Sequence, residues 1–123
     1  MDTDTRLYHN PRCSKSRAAL ELLRERGIEP RIVAYLDAPP TAAELRRLAS
    51  MTGASAHDLL RQGETEYSAL QLSDASSDDE LIAAMAQHPR LIERPIFVHA
   101  GRAVVGRPPE RVLDLLDDEA SSG

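Results

Sequence analysis

The stretch that decides the fold is residues 6–36, which read RLYHNPRCSKSRAALELLRERGIEPRIVAYL. Its first part, Arg6 to Asn10, predicts a short strand. An apolar stripe with helical spacing over Ser14 to Arg26 predicts a helix. A β-branched run then predicts a second strand from Arg31 to Leu36. This order implies two parallel strands joined by a right-handed crossover.

The middle of the chain changes to a helical pattern after Pro39 and Pro40. Three segments begin with a serine or threonine that an acidic residue follows three positions later, a spacing typical of a helix N-terminus. These pairs are Thr41 with Glu44, Ser55 with Asp58, and Ser77 with Glu80. We therefore predict an all-helical insert over about residues 41–87.

The last third returns to strand patterns. Ile96–His99 and Arg102–Val105 flank Ala100-Gly101 and predict an antiparallel hairpin. Pro108 and Pro109 then open a helix. The parallel pair, the hairpin and the helices together predict an α/β, thioredoxin-like fold: a mixed four-stranded sheet flanked by helices, with the helical insert. We expect one domain over residues 1–123, with a frayed tail over 117–123.

Composition excludes several classes of protein. The chain has 123 residues, 41% of them hydrophobic and 28% charged, which suits one folded domain. Its net charge of −5 argues against a nucleic-acid partner. No apolar run approaches a membrane span, and the acidic N-terminus lacks a signal-peptide core. We therefore expect a cytoplasmic protein with no membrane partner.

A single cysteine, Cys13, limits the possible redox chemistry. An internal disulfide is impossible, so any redox cycle must use a thiol from another molecule. One cysteine without paired histidines also argues against a metal site, and no bound cofactor is expected.

Cys13 lies where the first predicted strand delivers its loop to the first predicted helix. Unpaired N–H groups at a helix N-terminus favour a thiolate and also bind oxyanions. Arg17, one turn further on, adds positive charge. His9, four residues before Cys13, is either a partner that helps to deprotonate the thiol or an ordinary histidine at a strand end. We predict that Cys13 is a nucleophile rather than a buried apolar residue.

Two familiar cysteine enzymes do not fit. The low-molecular-weight phosphatase loop needs an arginine six positions after the cysteine, where this chain has Ala19. Dithiol oxidoreductases need Cys-x-x-Cys, and here Ser16 takes the second position. A one-cysteine thiol enzyme remains, or a module without this chemistry.

Several motifs together resemble the glutaredoxin-dependent arsenate reductases, and the match runs from about Leu7 to Leu116. These motifs are Tyr8-His9-Asn10-Pro11-Arg12-Cys13-Ser14-Lys15-Ser16-Arg17, Tyr35-Leu36, Pro39-Pro40-Thr41, Leu59-Leu60-Arg61, Arg94-Pro95-Ile96 and Gly106-Arg107-Pro108. The resemblance implies a thioredoxin-like fold with a helical insert. It also implies reduction of arsenate to arsenite, with glutathione as co-substrate and glutaredoxin as partner.

The resemblance also assigns roles to particular residues. Cys13 matches the catalytic cysteine, and His9 matches the histidine that tunes it. Three arginines match the anion ligands of the family: Arg61, Arg94 and Arg107. Guanidinium groups suit a tetrahedral oxyanion because they donate forked, charge-assisted hydrogen bonds. We add Arg17 as a substrate-binding candidate, and we expect a cis peptide bond between Arg94 and Pro95, as is usual in this fold.

Two other functions stay open. The first is a glutathione-dependent thiol oxidoreductase that acts on another substrate. The second is a non-enzymatic regulatory module similar to the Spx transcription regulators, which share the fold. Those regulators usually carry Cys-x-x-Cys, in which Ser16 here replaces the second cysteine.

Overall fold

The computed structural model of the protein describes residues 5–53, 55–61, 64–73 and 75–116. The chain divides into two compact units, one made of Met1–Ala34 with Arg94–Gly123 and the other of Tyr35–Glu93. We call them the sheet unit and the helical unit. The single domain expected over residues 1–123 stays a prediction. The frayed tail expected over 117–123 lies outside the described residues.

The sheet unit carries a four-stranded mixed sheet in the order β2-β1-β3-β4. Its strands are β1 (Thr5–Tyr8), β2 (Arg31–Val33), β3 (Ile96–His99) and β4 (Arg102–Val105). Strand β1 pairs in parallel with β2 and antiparallel with β3, and β3 pairs antiparallel with β4. The predicted parallel pair, hairpin and thioredoxin-like sheet are therefore confirmed.

Both N-terminal strands are shorter than the sequence indicates. Strand β1 ends at Tyr8 rather than Asn10, and β2 ends at Val33 rather than Leu36. The His9 N–H still donates to the Val33 carbonyl at 3.0 Å, and a turn begins at Tyr35. The prediction was wrong here because apolar alternation does not reveal where a strand loses its neighbour.

Helix α1 (Ser14–Glu25) connects the parallel strands and begins where the sequence predicts. It ends one residue earlier than expected. Gly27 follows it at φ +78°, a left-handed conformation that suits glycine. The Ile28 N–H then returns to the Leu23 carbonyl at 2.9 Å, which closes the last turn.

One hydrophobic core fixes α1 against the sheet. Leu7, Phe97 and Val104 face one another in register across three strands. The core cluster consists of Leu7, Ala19, Leu23, Phe97, Val104, Val112 and Leu115, all buried. The last two belong to the C-terminal segment, in which the predicted helix begins as a 3₁₀ helix (Pro109–Leu113). This packing holds the N-terminus of α1 beside the end of β1.

The helical unit contains α2 (Ala42–Thr52), α3 (Thr65–Ala69) and α4 (Asp78–Gln87), with 3₁₀ helices at Ala56–Leu59 and Pro89–Leu91. A helix follows each of the three predicted start signals. For example, Thr41 Oγ1 accepts the Glu44 N–H at 3.1 Å. Helical structure thus reaches past residue 87, the predicted limit. An antiparallel bridge pairs Leu60 with Ile92.

Within the described ranges, no helix is both long enough and apolar enough to cross a membrane.

Candidate active site

Cys13 is the N-cap residue of α1, with extended backbone at φ −93° and ψ 123°. It is partly exposed, so it does not belong to the core. Its N–H donates to the Asn10 carbonyl and its carbonyl accepts the Arg17 N–H, both at 3.0 Å. Within the described residues, the Cys13 side chain makes no capping hydrogen bond, and the first turn of α1 contains no acidic residue. Its N–H groups can therefore bind an anion.

A buried hydrogen-bond network lies beneath this loop. Ser16 Oγ accepts the Asn10 N–H at 3.0 Å and lies 2.7 Å from His9 Nδ1. His9 is 8% exposed and Ser16 is fully buried. Because the Ser16 hydroxyl already accepts one bond, its own hydrogen can be donated to a neutral His9 ring. The network joins the end of β1 to the first turn of α1.

His9 favours the neutral imidazole. Burial lowers the pKa of His9 below its usual 6.5, and the positive charges of Arg24 and Arg17 lower it further. In the described part of the chain, the His9 ring makes its hydrogen bond with Ser16 and none with the Cys13 thiol. Sequence reasoning treated Ser16 only as a missing cysteine and so missed this contact. The proximity of a strand end to a helix start was the available signal.

Arg17 contacts the backbone of the same loop. Its Nη1 donates to the Pro11 carbonyl at 3.2 Å, while the side chain remains exposed. The Arg12 N–H donates to Asn10 Oδ1 at 3.0 Å, which tightens the turn before Cys13. Arg17 thus supports the loop, and its predicted role in binding substrate stays a prediction.

Arg94 and Arg107 lie together in the sheet unit. Arg107 Nε donates to the Arg94 carbonyl at 3.0 Å. The expected cis Arg94–Pro95 bond is confirmed, and a second cis bond, Arg107–Pro108, was not foreseen. The Nε atom of Arg94 is buried and has no hydrogen-bond partner among the described residues. This donor can therefore serve a ligand.

Gly106 packs tightly beside the cis proline. A Cβ atom at Gly106 would lie 2.9 Å from Pro95 Cγ and 3.0 Å from Val112 Cγ1. The Gly106 N–H donates to the Pro95 carbonyl at 2.8 Å. Only glycine allows this close approach, which holds the segments of Arg94 and Arg107 together.

Arg61 belongs to the helical unit and is paired with carboxylates. Its Nη1 lies 2.6 Å from Glu64 Oε1, and its Nε lies 3.9 Å from Glu93 Oε1. Its backbone N–H donates to the Leu91 carbonyl at 2.7 Å, next to the Leu60–Ile92 bridge. Sequence reasoning missed both carboxylates. The three-residue spacing of Arg61 and Glu64 was a local signal, whereas nothing in the sequence indicated Glu93.

No group of three or more His, Cys, Asp or Glu side chains is placed to hold a metal ion, as far as the described residues extend.

Comparison with known proteins gives close relatives over nearly the full length. The ArsC family model matches residues 8–115. The chain is 51% identical over 118 residues to the uncharacterized protein YfgD of Escherichia coli (strain K12), covering 94% of this chain and 99% of that one. It is 48% identical over 115 residues to an arsenate reductase of Neisseria meningitidis, covering 92% and 98% respectively.

A solved structure agrees with this result. The arsenate reductase from Vibrio cholerae superposes with a TM-score of 0.86 at 46% sequence identity, covering 93% of this chain and 98% of that chain. The Vibrio cholerae protein therefore has the same fold as this chain. Since the family match and these identities extend over nearly all of the sequence, the chain belongs to the ArsC family.

Proposed function

We propose that this protein is an arsenate reductase that uses Cys13 as its nucleophile. The observation that carries the proposal is the position of Cys13, partly exposed on the uncapped N-terminus of α1. Relatives named arsenate reductase, at 46–48% identity over more than nine-tenths of this chain, support the choice of substrate.

Arsenate is a tetrahedral oxyanion and needs several donors. The first-turn N–H groups of α1 supply backbone donors, and Arg94 supplies a buried Nε that has no other acceptor among the described residues. Arg107, bonded to the Arg94 carbonyl, supplies a second guanidinium. The family resemblance adds Arg61 as a further ligand. Such donors also stabilise the charge that develops during reaction.

The proposed reaction begins when the Cys13 thiolate forms a sulfur–arsenic bond. One arsenic–oxygen bond breaks, and that oxygen leaves as hydroxide or water. Glutathione supplies the second thiol because the chain contains no second cysteine. Its sulfur bonds to the same arsenic, and a second oxygen leaves as water. A glutaredoxin thiolate then attacks the glutathione sulfur; the sulfur–arsenic bond to glutathione breaks with its electron pair staying on arsenic, which passes from +5 to +3, and glutathione and glutaredoxin form a mixed disulfide. Water finally cleaves the bond between arsenic and Cys13, which releases arsenite and restores the thiol.

His9 serves as a positioning residue in this proposal. Its ring is neutral and bonded to Ser16, so it fixes the first turn of α1 rather than adding a positive charge next to the thiol. The family resemblance gives His9 the role of tuning the cysteine. The Ser16 contact supplies a physical route for that effect.

A coupled assay tests the proposal. With glutathione, glutaredoxin and glutathione reductase present, arsenate should drive NADPH consumption, and Cys13→Ser should abolish it. A rate with arsenate no higher than background would refute the reductase proposal. Turnover of another glutathione mixed disulfide would then favour the thiol oxidoreductase, and capture of RNA polymerase without turnover would favour the regulatory module.

A further inference from the structure

Arg61 lies within a cluster of five charged side chains in the helical unit. We call it the Arg61 cluster: Arg61, Glu64, Glu66, Arg90 and Glu93. It contains three carboxylates and two guanidinium groups, so its net charge is negative. This balance is unusual for a residue that is proposed to bind an anion.

The contacts of Arg61 within the cluster are short and partly shielded from water. The Arg61 and Glu64 side chains are 23% and 17% exposed, and their nearest atoms are 2.6 Å apart. A charge-assisted bond in such a site is stronger than one between freely exposed side chains. Glu93 is held close by its backbone, because its N–H donates to the Leu59 carbonyl at 2.7 Å.

We propose that Glu64 is an internal competitor of the substrate, occupying the Arg61 guanidinium until an oxyanion displaces it. The inference rests on the proposed function, which makes Arg61 an anion ligand. A carboxylate and an arsenate oxygen seek the same N–H donors. Binding at Arg61 is therefore an exchange of one anion for another, and Glu64 lowers the affinity for every oxyanion that uses this residue.

Arg90 makes this exchange possible. Glu64 divides its two oxygens, with Oε1 on Arg61 and Oε2 at 3.3 Å from Arg90 Nη2. When an oxyanion takes Arg61, the carboxylate keeps its second partner and is not left unpaired. Because an unpaired, partly buried carboxylate is costly, Arg90 lowers the free energy needed to release Glu64. Glu64 and Arg90 therefore influence affinity in opposite directions.

The competition also favours one class of ligand. A monoanion with one acceptor gains little by replacing a carboxylate that already carries one charge. A tetrahedral dianion offers more charge and more oxygens, so it gains from the exchange. Glu64 thus increases selectivity for dianionic oxyanions while reducing absolute affinity.

Equilibrium binding of arsenate to the full chain carrying Cys13→Ser, measured by titration calorimetry, tests the idea without turnover. In that background Glu64→Gln should tighten arsenate binding about fivefold, a change of about 1 kcal/mol. Arg90→Gln should weaken it about threefold, because Glu64 then holds Arg61 alone. When Glu64→Gln is already present, adding Arg90→Gln should cause no further weakening of arsenate binding. In the active chain, the same changes should alter KM more than kcat.

Asp79→Asn is the matched control. It removes one negative charge from the same unit, and its carboxylate pairs with Arg46 at 3.0 Å rather than with the Arg61 cluster. Arsenate affinity should stay within a factor of two of the parent chain. Equal tightening by Asp79→Asn and Glu64→Gln would reduce the effect to net charge and overturn the inference.

Other outcomes separate this inference from the proposed function. Weaker binding in both Glu64→Gln and Arg90→Gln would mean that the cluster has only a structural role. Normal turnover with affinities unchanged by Glu64→Gln would overturn the inference and leave the reductase intact. Tighter binding in Glu64→Gln without reductase activity in the active chain would support the competition and refute the reductase. If no variant binds arsenate, the inference fails, and turnover of the active chain in the coupled assay decides the reductase proposal separately.

Discussion

The first turn of α1 and the Arg61 cluster are each proposed to bind an oxyanion, yet they are built in opposite ways. In the first turn, the Cys13 side chain makes no capping hydrogen bond, and none of the described residues of that turn is acidic. In the cluster, the guanidinium already has a carboxylate at 2.6 Å. One region is ready for an anion at all times, whereas the other must first release one.

This difference indicates how a protein can combine firm binding with release of product. Donors fixed by the backbone need no rearrangement when charge develops in a reaction. A side chain that exchanges between an internal carboxylate and a ligand binds more weakly, but it also gives up the ligand more easily. Changes in the two regions should therefore have different consequences.

The largest expected effect distinguishes Arg94 from Arg61. Arg94→Gln should lower kcat/KM for arsenate by about 100-fold, because it removes a buried Nε donor that has no hydrogen-bond partner among the described residues. Arg61→Gln should lower it by only about tenfold, because part of its binding energy is spent on displacing Glu64. Steady-state kinetics of both variants measures the two losses of kcat/KM. Equal losses would mean that Glu64 does not compete for Arg61.

The cost of replacing a glycine by alanine should also differ between the two units. Gly106→Ala should lower the free energy of unfolding by about 1–3 kcal/mol and reduce activity, because the added Cβ meets the rigid Pro95 ring at 2.9 Å. In the helical unit, the Cβ atom added by Gly53→Ala would have no atom within 4 Å, but the backbone of Gly53 has φ +73°. That backbone conformation should cost about 1 kcal/mol and leave kcat unchanged. Urea unfolding and the reductase assay together make the comparison.

The sequence predicted the α1 region better than the Arg61 region for a physical reason. Signals for a helix start are local, so Ser14 and the N-cap position of Cys13 could be identified from adjacent residues. Pairing between strands and between distant side chains is not local. The end of β2 at Val33 and the approach of Glu93 to Arg61 therefore could not be identified from adjacent residues. The contact of His9 with Ser16 is an intermediate case, because the strand end lies close in sequence to the helix start but the choice of partner depends on how β1 meets α1.

A smaller effect should appear in the pH dependence of stability. The pKa of His9 is lower in the folded chain than in the unfolded chain, so the unfolded chain binds more protons between the two values. The stability that His9 contributes is complete above its usual pKa of 6.5 and is lost as the pH falls through the lowered value. His9→Gln should flatten this slope in urea unfolding.

Ser16→Ala provides the control for that slope. It should lower stability by about 1–2 kcal/mol at every pH, because the Asn10 N–H and His9 lose their partner. The slope should persist, since burial is the main cause of the shift and remains. Loss of the slope in Ser16→Ala would mean that the hydrogen bond, not burial, sets the pKa of His9.

The smallest expected effect concerns an ion pair outside the Arg61 cluster. Arg46 and Asp79 are 56% and 79% exposed, so their coupling energy in a double-mutant cycle should stay below about 0.5 kcal/mol. The same cycle on Arg61 and Glu64, which are 23% and 17% exposed, should give a larger value. Similar values would remove the reason for treating the Arg61–Glu64 contact as a competitor for the ligand.

The pairing of β1 with β3 has a consequence for biosynthesis. Tyr8 aligns with Ile96, so the central strand gains its antiparallel neighbour only after most of the chain has left the ribosome. Arg94 and Arg107 are also translated long after Cys13. A polypeptide that terminates before residue 94 therefore carries the thiol without Arg94 and Arg107. Incomplete translation products should be inert towards arsenate rather than partly active.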